Sequence, residues 1–449
     1  MLTAHVRRCW LAQGFVAAHA DGSEAAPADS VEDLAQTDNT APPLPNFRVT
    51  ERHLIDIVDR LKAMEADLKI GGPVNSQDVR YSAASRYPNL PENSPAGRVL
   101  TPELYAQLFA AGNTRNDWNV DKALQAGIDA TVIPGTQGPQ LGVEAGDAES
   151  YDLLAPLLAP LIKEHHGFDM ASDKQRSDRD ADHLVEVDGA AAMDHVLSTH
   201  ITASRNIRNF CFSNNVCRGE RRRIASIVRQ AMEPTHGTYT AVTELSDDKA
   251  ASLREGGLLF EAPGVEDVVR GVARDYPDSR DVFVTEDERT SLWVNADDHV
   301  RVSTACAGLA PKKAFKQTFG LLAYLEENIR LGGLRFATHP VLGFVGPNPA
   351  LIGTALEARV RARLPRLSSR PGFAAFCKAR GVSLGDQGGA TKSSTVSLAN
   401  AKCLGVTEVE AVNTVVQFVV ECVALENELQ AGGSDVVSKV DAKLAAAAN

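Results

Sequence analysis

The chain has 449 residues, 44% hydrophobic and 23% charged, enough for two domains around sizeable cores. Its formal net charge of -12 argues against nonspecific nucleic-acid binding, which calls for a basic surface. No apolar run reaches the length of a transmembrane helix, and no Gly-rich phosphate loop or dinucleotide fingerprint occurs. The seven cysteines are widely spaced without a CxxC pair, which points to reduced, mostly buried thiols rather than a zinc site or a disulfide framework.

Residues 1–20 carry His5, Arg7, Arg8 and His19 and no acid, with Leu2, Val6, Trp10 and Leu11 interspersed. That texture is a mitochondrial presequence's, and it makes the mitochondrion the expected compartment, with cytoplasm or flagellum as alternatives. Residues 21–46 are rich in Ala, Pro, Asp and Ser, so 1–46 is set apart as an arm and linker. Leu54, Ile57, Val58 and Leu61 fall at helical spacing and open a small helical domain over 47–166. Within it Thr101 is placed to cap a helix beginning at Pro102, and 150–164 is an apolar helical stretch. His165 and His166 lack partners at metal-ligand spacing and read as a solvated helix end. Residues 167–192 are polar and Asp-rich, an interdomain linker. From 193 to 431, helical stretches at 218–233 and 311–330 alternate with strand-like runs at 281–284, 291–294, 299–303 and 342–345, which predicts an α+β domain. Arg218, Arg221, Arg222 and Arg223 form a basic run, read as a solvated helix face or a contact for an acidic protein. A long amphipathic helix capped by Thr407 spans 407–430, and 432–449 is expected to be a frayed tail.

Several short motifs stand in a fixed order along this frame: 99–105 (VLTPELY), 146–151 (GDAESY), 204–210 (SRNIRNF), 218–222 (RGERR) and 273–280 (ARDYPDSR). They continue with 291–301 (SLWVNADDHVR), 339–344 (HPVLGF), 353–354 (GT), 364–365 (LP), Arg380-Gly381 and 400–408 (NAKCLGVTE). Each is modest alone. The ordered set resembles the phosphagen kinases, the ATP:guanidino phosphotransferases that include the creatine, arginine and taurocyamine kinases. The resemblance implies a small all-helical domain followed by a large domain in which helices flank an antiparallel sheet. It also implies reversible transfer of the γ-phosphoryl of MgATP to a guanidino nitrogen. That chemistry needs cations on the phosphates, an acid on the guanidinium and a loop that excludes water.

Carried over residue by residue, the resemblance implies a depleted site. Two of the family's phosphate-binding arginines fall on His200 and Thr202, and a third falls on Glu357. Two survive, as Arg301 and Arg380. The guanidino-contacting acid falls on Asp297, one methylene shorter than the family's glutamate, and Asp298 takes the place of a residue that helps hold the magnesium hydration shell. Gly346 stands for the reactive cysteine, and Gly142, Val143 and Glu144 fall in the small-domain loop that sets guanidino size. Gly257 replaces a histidine near the adenine, and Trp293 is kept. Arg205, Arg208, Arg359, Arg361 and Arg363 are candidates to compensate for the lost cations.

Folding motifs are thus kept while site residues are scattered losses, as when a fold is retained for packing and its chemistry released. The expectation is a pseudoenzyme serving as a structural or assembly subunit of a mitochondrial protein complex, with no cofactor. Its partners would be protein subunits or a second copy of itself. The alternative is an active, divergent guanidino kinase using MgATP and MgADP.

Overall fold

In the computed structural model the described residues are 87–446, apart from 89, 92–93, 134–135, 137, 188–193 and 386–393. The arm, the presequence-like stretch and the helix expected around 54–61 lie outside the described residues. Residues 89–449 form one unit, to which both the helices and the sheet belong.

The helical part comprises α1 (Pro95–Val99), α2 (Pro102–Ala111), α3 (Val120–Val132), α4 (Ser150–Leu153) and α5 (Ala155–His166). Caps set the starts: Ser94, Thr101 and Asn119 each accept a backbone N–H three residues on. Leu157, Leu158, Leu161 and Ile162 line one face of α5 at helical spacing and are fully buried. The core they build also takes in Phe212, Leu342, Val345, Ile352 and Leu404 from the larger part of the chain.

That larger part holds β1 (Val196–Arg205), α6 (Arg218–Met232), β2 (Gly237–Ala241), α7 (Asp247–Glu255), α8 (Val265–Arg270), β3 (Asp281–Thr285), β4 (Thr290–Val294) and β5 (Val300–Ala307). After these come α9 (Pro311–Leu331), β6 (Thr338–His339), β7 (Gly343–Phe344), β8 (Leu356–Arg363), α10 (Phe373–Ala379), β9 (Val382–Leu384), β10 (Thr395–Asn400), α11 (Glu408–Ala431) and α12 (Ser434–Ala446). Eight strands form one antiparallel sheet in the order β2-β3-β4-β5-β1-β8-β10-β9. Ile201, Ala203, Val302, Ala358 and Val360 turn one face of the sheet toward the buried residues of α9 and α11. Alternation then turns His200, Thr202, Arg301, Ser303, Glu357 and Arg359 to the other face. The expected class, a helical domain before a large antiparallel sheet flanked by helices, is the one observed.

Several local expectations need correction. The run at 342–345 contributes only the two-residue strand β7, paired with β6. The stretch after Gly433 is not a frayed tail: α12 buries Val440 and Leu444, and its Lys443 and Asp441 pair with Glu421 and Arg370. The basic run is a solvated face except at one position, with Arg218, Arg222 and Arg223 exposed. Arg221 is fully buried, Arg218 and Arg222 both bind Asp278, and Arg223 lies over Phe210. His166 is buried as well, with Nε2 3.0 Å from the Pro349 carbonyl; only His165 is exposed.

The described part of the polar linker is pinned to the larger part of the chain. The Glu408 carboxylate, buried at the start of α11, accepts from Ser177 Oγ at 3.0 Å, from the Asp178 backbone N–H at 3.0 Å and from Arg179 Nε at 3.3 Å. Thr407 and Glu410 close a reciprocal capping box at the same turn.

Candidate functional site

The face of the sheet opposite α9 and α11 carries a cavity of about 90 Å³ where β1, β5 and β8 meet the β4–β5 hairpin and the 346–348 loop. It is lined by Thr202, Ser204, Arg270, Asp297, Asp298, Arg301, Gly346 and Glu357, among others. Asp297 and Arg301 also border a second, more open cavity of about 390 Å³ beside Gly257, Phe260 and Trp293.

Register places the central residues. Thr202 on β1 lies opposite Ser303 on β5 and Glu357 on β8, and its hydroxyl is 3.1 Å from that of Ser303. His200 is one same-face step away, opposite Arg359, with Nε2 2.9 Å from Ser198 Oγ. Burial and the neighbouring Arg361 and Arg359 lower its pKa, which favours the neutral ring. His200 lies beside Gly257: a Cβ built there would come 3.5 Å from its ring.

Among the described residues, each cation at the cavity already has an acid. Arg359 Nε donates to Glu357 Oε1 at 2.7 Å, and its Nη1 reaches Ser397 Oγ at 3.3 Å. Burial pushes the Glu357 carboxyl up, but Arg359, helped by Arg301 and His200, outweighs it and the pKa is lowered. Glu357 is therefore a carboxylate at neutral pH. Arg301 stacks over Trp293 at 5.4 Å and stands 3.7 Å from Asp297; its Nε is buried without a hydrogen-bond partner. Trp293 itself is tied to the Leu258 carbonyl at 2.7 Å.

Asp297 also accepts from Arg270 Nη1 at 3.2 Å, and Arg270 Nε donates to Glu144 at 2.6 Å. Burial opposes charge on Arg270, yet Glu144 and Asp297 together raise its pKa. Burial raises the pKa of Glu144 despite Arg270 and Asn214. Asp298 is likewise raised by burial, and it accepts from Asn206 Nδ2 at 2.7 Å.

The structure thus gathers Thr202, Asp297, Asp298, Arg301, Gly346 and Glu357 at one cavity, with His200 beside it. It does not bring Arg380, which is bound to Glu421 of α11 and lies over Phe376. Nor does it bring Gly142 and Val143. Both are buried in the helical part, where Val143 joins the core and a Cβ on Gly142 would meet that of Ala96 at 2.9 Å. Gly346 does line the cavity, but a Cβ there would fall 2.8 Å from Asp298 Oδ1 and 3.0 Å from Asn206 Nδ2. The pair has closed over the place where a cysteine would stand. Among the compensating candidates, Arg205 is buried under Phe344 and donates to the Ser204 and Thr354 carbonyls. Arg359 is held by Glu357. Arg208, Arg361 and Arg363 are exposed and away from the cavity lining. Arg270 went unnoticed in the sequence because its partner Glu144 is 126 residues away; a lone arginine at a helix end gives no local signal.

The profile of the ATP:guanido phosphotransferase N-terminal domain matches residues 91–163, and that of the C-terminal catalytic domain matches residues 221–429. Arginine kinase from Stichopus japonicus is 30% identical over 377 residues, covering 81% of this chain and 100% of the relative. The chain belongs to the phosphagen kinase family. Creatine kinase B-type from Gallus gallus is also 30% identical, over 369 residues, covering 80% of this chain and 96% of the relative. Among solved phosphagen kinase structures, lombricine kinase superposes with a TM-score of 0.69 at 28% identity, covering 76% of this chain and 95% of that one. The duplicated taurocyamine kinase from Schistosoma mansoni shares the fold at a TM-score of 0.67 and 23% identity, over 75% of this chain and 47% of that one.

Proposed function

We propose that this phosphagen kinase fold does not transfer phosphoryl groups and serves as a structural subunit of a larger protein assembly, in the mitochondrion. The observation that carries the reading is Glu357, a carboxylate on the cavity wall at a place where the family resemblance calls for a phosphate-binding arginine. A charge-assisted hydrogen bond to phosphate contributes about 1.5–3 kcal/mol, so three arginine positions without arginine weaken nucleotide binding by about 5 kcal/mol or more. Glu357 adds repulsion toward a polyphosphate, and it holds the nearest substitute cation, Arg359. Arg380 is engaged by Glu421. The acid at 297 already bonds to Arg270. What is kept, the packing of both parts of the chain, is what a structural subunit needs.

The test is calorimetric titration of the purified chain with MgADP, alone and with arginine plus nitrate to mimic the transferring phosphoryl group. The expected result is no detectable binding at millimolar nucleotide. Tight, magnesium-dependent binding would overturn the reading. The assembly role is read from gently lysed native extracts: migration only as a free monomer or homodimer removes it.

A second reading, an active guanidino kinase, draws support from Arg301, whose buried Nε lacks a partner, and from relatives named arginine kinase and creatine kinase. Phosphoryl transfer from MgATP to any member of a panel of guanidino compounds would establish it.

A further inference from the structure

We infer that the chain carries its own guanidinium ligand: Arg270 fills the acidic pole of the cavity, between Glu144 and Asp297, and bars free guanidino compounds from it. The inference rests on the reading of the cavity as a remodelled guanidino site. The geometry is that of a bound guanidinium. Arg270 ends α8, and Gly271 turns the chain sharply behind it with φ +80°. Its side chain, 14% exposed, reaches back so that Nε donates to Glu144 Oε1 at 2.6 Å and Nη1 to Asp297 Oδ1 at 3.2 Å. Two edges of one planar fork thus meet two carboxylates, the arrangement that distinguishes a guanidinium from an ammonium.

The carboxylates come from opposite sides. Glu144 belongs to the helical part, is 2% exposed, and has its other oxygen fixed by Asn214 Nδ2 at 3.0 Å. Asp297 sits on the β4–β5 hairpin. A guanidino compound from solution would have to displace Arg270 from both. A tethered group competes at an effective concentration of about millimolar or above, and displacement would leave a buried cation without its acids. The site therefore recognises a guanidinium, and the chain supplies it.

The experiment uses full-length R270A, titrated with methylguanidine by calorimetry and followed by thermal melting, with methylammonium as the control cation. The wild type is expected to show no saturable binding of methylguanidine. R270A is expected to melt several degrees lower, to bind methylguanidine saturably and at least tenfold better than the wild type, and to recover its melting temperature with methylguanidine but not with methylammonium. Equal binding by both proteins, or a folded R270A that methylguanidine does not restore, overturns the inference. If R270A does not fold, R270K serves: a shorter-reaching ammonium lacks the planar fork whose two edges meet the two acids, so guanidinium-specific rescue of that variant carries the same meaning. Failure of rescue in a chain that binds no MgADP removes this inference alone. Strong MgADP binding removes the structural-subunit reading and leaves a rescued R270A unaffected.

Discussion

At the scale of single residues, the cavity is electrostatically closed. Replacing Glu357 with arginine returns a cation to the wall and releases Arg359 from its acid. E357R is expected to bind pyrophosphate at least tenfold more tightly than the wild type, measured by calorimetry at low salt; unchanged affinity would show that Glu357 is not the obstacle. Restoring a thiol at position 346 should do harm instead. G346C forces a side chain against the Asp298 carboxylate and Asn206, and overpacking of that kind costs about 1–3 kcal/mol, readable as a lower denaturation midpoint. Two buried histidines give the chain an acid sensitivity. His299 accepts the Ile207 backbone N–H at Nδ1 and bonds the Cys211 carbonyl through Nε2, so a second proton has no place to go. Burial lowers its pKa to about 4, and burial does the same to His166. A histidine held below its unfolded value near 6.5 contributes stability that is present above that value and lost as pH falls toward the folded one. Each is expected to remove about 2 kcal/mol between pH 7 and pH 5, and urea unfolding at those two pH values checks the sign and the size.

At the scale of elements, the pattern that periodicity could reveal was there to read. The helices at 102–111, 218–232, 311–331 and 408–431 follow from apolar spacing and from Thr101 and Thr407 as caps. β3, β4 and β5 follow from short β-rich runs. The central strand β1 is harder, because His200, Thr202 and Ser204 on its open side dilute the β signal, and α12 is harder still. Its small residues suggest fraying; only the tertiary docking of Val440 and Leu444 makes it a helix of the core. The site divides the same way. Thr202, Arg301 and Glu357 are neighbours through strand register and Asp297 through the hairpin that joins β4 to β5, which motif order captures. Arg380 and Gly142 are placed by packing against α11 and α1, which motif order does not. The dock of α12 can be measured: L444A removes a fully buried side chain and is expected to destabilise by about 2–5 kcal/mol in denaturant unfolding.

At the scale of the whole molecule, the helical part has no core to itself, because its buried cluster is shared with the sheet part. Phe212, Leu342, Ile352 and Leu404 pack with Leu124, Tyr151 and Leu158, and the 167–187 segment is fastened to α11 through Glu408. Tyr151 adds a hydrogen bond to the Gly346 carbonyl at 2.8 Å. Scanning calorimetry is therefore expected to show one transition for residues 94–446, not separate ones for the two parts; two resolved peaks would contradict the shared core. The Glu144–Arg270–Asp297 bridge has a further consequence. A hinged enzyme loses conformational entropy when a neighbour grips both of its halves at once, and the complex is weaker by that amount. A chain whose halves are already riveted together through one internal guanidinium has little such freedom left to lose. The salt link proposed to shut out a substrate is thus also one that suits the proposed structural role, since it leaves the two halves little freedom to lose.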